Sequence, residues 1–258
     1  MPAPKNTIKT KLLSGDLQIG AFLDLASTTV AEIAGRAGYD WCLVDGEHGP
    51  SDTAQIRDQL MALASVGCPA LVRVPCGEDW VLKRALDIGA QTLLVPMVDT
   101  AAQAEAVARA VRYAPEGTRG LAAGVVRASG YGAEPDYMHT ANDQICLMVQ
   151  AESRAAVENV DAIAATPGVD CVFVGPSDLA ADMGHLGNPG APEVVEAITH
   201  IMARTRAAGK AVGMFCLDPG QLARYRDMGA TFIAVASDVV SMTSVLRSRA
   251  AEAREQLG

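Results

Sequence analysis

WCLVDGEHGP, residues 41–50, opens as an apolar run short enough for a buried strand and then turns abruptly into two acids, a histidine, two glycines and a proline. A strand that ends this way puts ionisable groups at its C-terminus, the end where barrels and doubly wound sheets do their chemistry. Taken alone, the segment also reads as an ordinary strand-to-helix turn, with Asp45 or Glu47 capping a helix and glycine supplying a positive φ. Several later strands end in the same way, and that repetition decides between the two.

Working outward, strand-like and helix-like segments alternate with little between them. Apolar runs at 19–25, 41–45, 70–74, 92–98, 145–150, 171–174, 211–215 and 231–236 read as strands. Helical stretches at 30–37, 54–66, 80–88 and 194–208 each precede a glycine, the usual C-terminal punctuation. Eight units with nearly continuous apolar strands predict a parallel (β/α)8 barrel, a TIM barrel in a single α/β domain over 1–258. The segment 1–16 forms an N-terminal tail or helix and 239–258 a C-terminal helix. A doubly wound sheet is the alternative, weakened by eight regular units and no GxGxxG. Two interruptions stand out: a Gly-rich stretch at 116–143, read as a long loop, and ADMGHLGNPGAP at 181–192.

Composition narrows the function classes. Half the residues are hydrophobic but only 4% are aromatic, so small aliphatic side chains must fill the core. A net charge of −9 argues against nucleic acid or an anionic membrane as partner. No 18-residue apolar run is present, and the polar start MPAPKNTIKTKLLSGD lacks the apolar segment of a secretion signal, so the expected location is cytoplasmic. Six cysteines without a CxxC pair fit buried thiols in a reducing compartment.

The strand ends carry the chemistry. Strand two ends in Asp45, Glu47 and His48, strand three in Arg73, strand five in Gln150 and Glu152, and strand six in Ser177 and Asp178. Gln150 and Glu152 are two apart and share a face. Glu152 and Asp178, on adjacent strands, suit one hard divalent cation with water completing the shell. Arg73 beside it suits a carboxylate or a developing enolate, and His48 near Asp45 suits an oriented base. Each also has a structural explanation: Glu152 or Asp178 as a helix cap, Arg73 as a buried ion-pair partner. The five lysines lie in the N-terminal segment, inside a helix, or at the wrong end of strand seven, so none is placed for a Schiff base in the mouth.

The stretches AGYDWCLVDGEHGPSD, LVRVP, LKRALDIGAQTLLVPMVDT, ANDQICLMVQAESR, GVDCVFVGPSDLAADMGHLGNPGAPEV and GATFIAVASD, spread from about residue 20 to about residue 246, resemble the HpcH/HpaI aldolases. These are metal-dependent class II pyruvate aldolases that include 4-hydroxy-2-oxoheptanedioate and 2-keto-3-deoxy-sugar-acid aldolases. The resemblance implies Glu152 and Asp178 as ligands of Mg2+, Mn2+ or Co2+. It implies Arg73 on the keto oxygen, backbone amides near Ser177 and Asp178 for the substrate carboxylate, and Gln150 in support of the metal. A His48–Asp45 pair would act as base, and Asp87 would reach the site of a neighbouring subunit. The implied assembly is a homohexamer, a trimer of dimers with the last helix exchanged between neighbours.

The implied reaction is reversible cleavage of a 4-hydroxy-2-oxoacid to pyruvate, or hydroxypyruvate, and an aldehyde. Alternatives on the same scaffold are a decarboxylase of oxaloacetate resembling macrophomate synthase, and a citrate-lyase-like enzyme acting on a CoA thioester. Departures bear on the substrate: Phe215 stands in a Met-Phe pair where relatives commonly carry Ile-Leu, in a segment that lines their aldehyde side, and Phe22 stands where they often carry tryptophan. Ala236-Ser237-Asp238 and the RASGYG segment at 127–132 also differ from the usual pattern.

Overall fold

The protein, here as a computed structural model, is described over all 258 residues. Its eight parallel strands close in sequence order into a barrel. In chain order the elements are α1 (Thr7–Ser14), β1 (Gln18–Leu23), α2 (Thr28–Gly35), β2 (Trp41–Asp45), α3 (Thr53–Ser65), β3 (Ala70–Arg73), α4 (Asp79–Asp87), β4 (Thr92–Val95), α5 (Ala101–Ala110) and α6 (Tyr137–Gln144). They continue with β5 (Cys146–Ala151), α7 (Arg154–Ala165), β6 (Cys171–Val174), α8 (Pro176–Asp182), α9 (Pro192–Ala207), β7 (Ala211–Phe215), α10 (Leu222–Met228), β8 (Phe232–Ser237) and α11 (Asp238–Leu257). No helix is long and apolar enough to cross a membrane.

The strands bury both faces, which is why their sequences are apolar without alternation. One side of each strand joins the large aliphatic shell beneath the helices. The other fills the lumen with Phe22, Trp41, Leu43, Leu71, Leu94, Met148, Phe173 and Phe232. Trp41 stacks on Phe232 with ring centroids 4.1 Å apart. The indole lies against Gly20 of β1, where any Cβ would collide with the ring, so only glycine fits there. The bottom of the barrel is closed by α1, whose Ile8 and Leu12 pack onto the lumen cluster. Asn6 caps that helix and ties it to Thr92 and Gln144.

The stretch 116–143 is not wholly loop. Its end forms α6, a polar octapeptide whose sequence alone is a weak helix. Tyr137 and Ala141 bury against Tyr113 and Ala3, and Asn142 bonds both the amide and the carbonyl of Tyr113. Those long-range contacts stabilise a helix that local propensity does not. All six thiols are free, five of them buried.

Candidate active site

The C-terminal ends of the strands open onto a cavity of about 760 Å³ lined by residues of β1, β3, β5, β6, β7 and β8 and of the segments that follow β1, β2, β6, β7 and β8. The register of β2 against β3 pairs Asp45 directly with Arg73. Arg73 Nε donates to Asp45 Oδ1 at 2.9 Å, Nη2 binds Oδ2, and Nη1 meets Glu47 Oε2 at 3.0 Å. The Asp45 carboxylate also accepts the amides of Glu47 (3.0 Å) and His48 (3.3 Å). Burial would raise its pKa, but the Arg73 guanidinium outweighs that and holds it below the usual carboxylate value. The same partners outweigh burial at Arg73 and keep its charge fixed.

In this geometry the His48 ring is not paired with Asp45. Both Asp45 oxygens are committed to Arg73, and the turn presents the backbone N–H of His48 to Asp45, not its ring. The imidazole stands out over the cavity, 65% exposed, with Nε2 at 3.8 Å from Glu47 Oε2. Burial pushes the Glu47 carboxyl up, partly offset by Arg73.

Across the mouth, Gln150 and Glu152 share the inward face as their spacing requires, Gln150 Nε2 donating to Glu152 Oε2 at 2.5 Å. Glu152 Oε1 accepts the amide of Met97 at 2.8 Å. Glu152 does not cap α7; Ser153 does, through its hydroxyl. Burial, and to a lesser extent repulsion from Asp178, push Glu152 up to about 7. Asp178 sits in the first turn of α8 at the cavity edge. Gly175, preceding it, lies so close to Glu152 that a Cβ there would collide with Oε2. Gln150 Oε1 is buried and has no partner.

A buried carboxylate that feels the charge of an exposed second one, with an unpartnered amide oxygen beside it, is a donor set suited to a hard divalent cation. No group of three or more His, Cys, Asp or Glu converges here. Ser177 lies on the same rim, and Phe215 walls the cavity edge-on to Phe22, ring centroids 5.0 Å apart, with Arg73 over the Phe22 face.

Asp87 is apart from all of these. As the last residue of α4 it lies at the opposite end of the barrel, bound to Arg119 at 2.9 Å, so within its own subunit it does not approach the site. Residues that the strand-end reading passed over also emerge. Asp24, just beyond β1, meets Asp45, and Ser237 Oγ donates to it at 2.7 Å. Asp238 takes the amides of Asp24 (2.9 Å) and Leu25 (3.2 Å), tying α11 to β1. In sequence, Asp24 sits in a plain ASTT-type helix approach, and nothing local marks it.

A parallel barrel that gathers an arginine and converging carboxylates at its C-terminal mouth has the layout of an enzyme. The family model described as HpcH/HpaI aldolase/citrate lyase matches residues 18–244, and the chain belongs to that family. It is 49% identical over 254 residues to a hydroxypyruvate/pyruvate aldolase of Roseovarius nubinhibens, covering 98% of this chain and 99% of the relative. It is 46% identical over 246 residues to a 2-keto-3-deoxy-L-rhamnonate aldolase of Klebsiella pneumoniae, covering 95% of this chain and 92% of the relative. A crystal structure of a family member from Burkholderia cenocepacia superposes with a TM-score of 0.93 at 42% identity, covering 97% of this chain and all of that one. The chain is accordingly a carbon–carbon lyase of the aldolase type.

Proposed function

We propose that the protein is a divalent-metal-dependent aldolase that reversibly cleaves a 4-hydroxy-2-oxoacid into pyruvate, or hydroxypyruvate, and an aldehyde. The observation that supports it most is that Arg73 and Asp178 line one cavity, with buried Glu152 close enough behind Gln150 and Gly175 to feel the charge of Asp178 and to act on Arg73. Glu152 and Asp178 would hold Mg2+, Mn2+ or Co2+, with Gln150 fixing the Glu152 rotamer. When bound, the cation supplies positive charge that lowers the cost of an enolate next to the substrate carboxylate.

The chain's own groups do the rest. Arg73, oriented by Asp45 and Glu47, donates to the 2-oxo oxygen as it gains negative charge. Amides at the start of α8, around Ser177 and Asp178, receive the substrate carboxylate. His48, exposed over the cavity, takes the proton from the C4 hydroxyl. The C3–C4 bond then breaks, the aldehyde leaves, and a proton returned to C3 completes the product. Phe22 and Phe215 wall the aldehyde side.

Assembly belongs to the same reading. All of α11 lacks a buried residue, and it exposes Val240, Met242, Val245 and Leu246, while Leu17 and the outward Ile19 of β1 are also uncovered. We assign these to contacts between copies, in a homohexamer built as a trimer of dimers. Asp87 would reach a neighbour's site in that assembly.

The test is cleavage of a panel of 4-hydroxy-2-oxoacids, following pyruvate or hydroxypyruvate, with EDTA and then with each cation restored. Release that stops with EDTA and returns with metal is expected. Activity that persists in EDTA, or in Glu152→Ala and Asp178→Ala, refutes the site. Oxaloacetate in the same panel separates a decarboxylase from an aldolase.

A further inference from the structure

On the side assigned above to the aldehyde, the cavity wall is mostly apolar. Phe22, Phe215, Leu217, Val239 and Val240 form its wall, and Asp24 with Ser237 interrupts it. Ser237 Oγ donates to Asp24 Oδ2 at 2.7 Å, and the carboxyl lies near enough to Asp45 to feel its charge. The Asp24 backbone is fixed by the Asp238 carboxylate, so the side chain is held at the rim and not free to swing away. The cavity's one Lys or Arg is Arg73, and its guanidinium is shared between Asp45, Glu47 and the 2-oxo oxygen assigned to it above, on the pyruvate side. Apart from the His48 imidazole, this half of the site thus offers acids and hydroxyl acceptors but no basic side chain for an anionic group.

We propose that Asp24, supported by Ser237, selects the aldehyde: it accepts a hydrogen bond from a hydroxyl of an uncharged hydroxyaldehyde and repels aldehydes that carry a carboxylate. The inference rests on the aldolase reading above and adds the acceptor class to it. Two physical effects work together. A half-buried hydrogen-bonding group discriminates against a ligand that leaves it unpaired, and a like charge placed beside it adds repulsion. Burial and the Asp45 contact push Asp24 up to about 6, so at pH 8 it is ionised and acts as acceptor.

The experiment uses the metal-loaded enzyme at pH 8 in the synthetic direction, with pyruvate and four acceptors: glyceraldehyde, propanal, glyoxylate and succinic semialdehyde. Wild type is expected to prefer glyceraldehyde to propanal and to both anionic aldehydes. In Asp24→Asn, the kcat/KM ratio of succinic semialdehyde to glyceraldehyde should rise roughly tenfold or more, the scale of one lost charge contact. Ser237→Ala should move the ratio the same way by less. A purely structural role for Asp24 lowers all acceptors together and leaves the ratio unchanged, which overturns the proposal. Wild type favouring succinic semialdehyde overturns it whether or not the variants fold. Deuterium exchange at the pyruvate methyl without aldehyde keeps the two readings apart. Its absence in wild type sinks the aldolase reading, whereas exchange with an unmoved ratio sinks only the role of Asp24.

Discussion

Glu152 makes the metal-free protein sensitive to mildly alkaline conditions, and the effect can be sized. Its carboxyl is raised from 4.5 to about 7, first by burial. The folded state therefore holds a proton that the unfolded chain has already lost between those values. The contribution is complete below 4.5 and disappears as pH rises through 7. At about 1.4 kcal/mol per pK unit, the loss across that window is about 3 kcal/mol. Denaturant unfolding in EDTA at pH 5, 6, 7 and 8 measures it, with Glu152→Gln as the neutral isostere. Asp24 titrates in a similar window, so the quantity to follow is wild type minus variant. That difference should move against wild type by most of the 3 kcal/mol between pH 5 and 8. Saturating Mg2+ or Mn2+ should restore wild type at pH 8, because the cation takes the ionised form. A flat difference across pH would mean that Glu152 is not desolvated as the fold places it, and the metal argument would lose its physical basis.

Two other perturbations test separate parts of the molecule. In Gly175→Ala the new methyl would clash with Glu152 Oε2 and lie 3.0 Å from its Cβ, so the carboxylate must shift. Displacement of about 1 Å costs roughly a hundredfold in rate. Steady-state kinetics with metal titration should show that loss with cooperative unfolding retained, and unchanged kinetics would show that Glu152 tolerates another position. On α11, the double change Val245→Asp and Leu246→Asp places charge on an uncovered apolar face. Light scattering should report a smaller particle, and an unchanged mass would remove α11 from the interface.

The barrel was legible in the sequence because both of its periodic signals are local. Buried parallel strands read as unbroken apolar runs, and helices end in glycine; the observed boundaries differ by only a few residues from those expected. The acids and Arg73 at the strand ends were legible for the same reason: a barrel sends every strand C-terminus to one mouth. Gln150 and Glu152 needed only the two-residue repeat of a strand to be placed side by side. What local pattern could not carry was who pairs with whom. Asp45 lies three residues from His48 in sequence but opposite Arg73 in register, and the closer, bidentate partner wins its carboxylate. Helix α6 exists because Tyr113 and the N-terminal residues lie against it, contacts more than twenty residues away. Asp24 and Ser237 stand more than two hundred residues apart and meet only because β1 closes the barrel against β8. The sequence by itself determined the architecture and which chemical groups reach the mouth. Ring closure, which alone joins the two ends of the chain, decided their partners, their charges and the shape of the aldehyde wall.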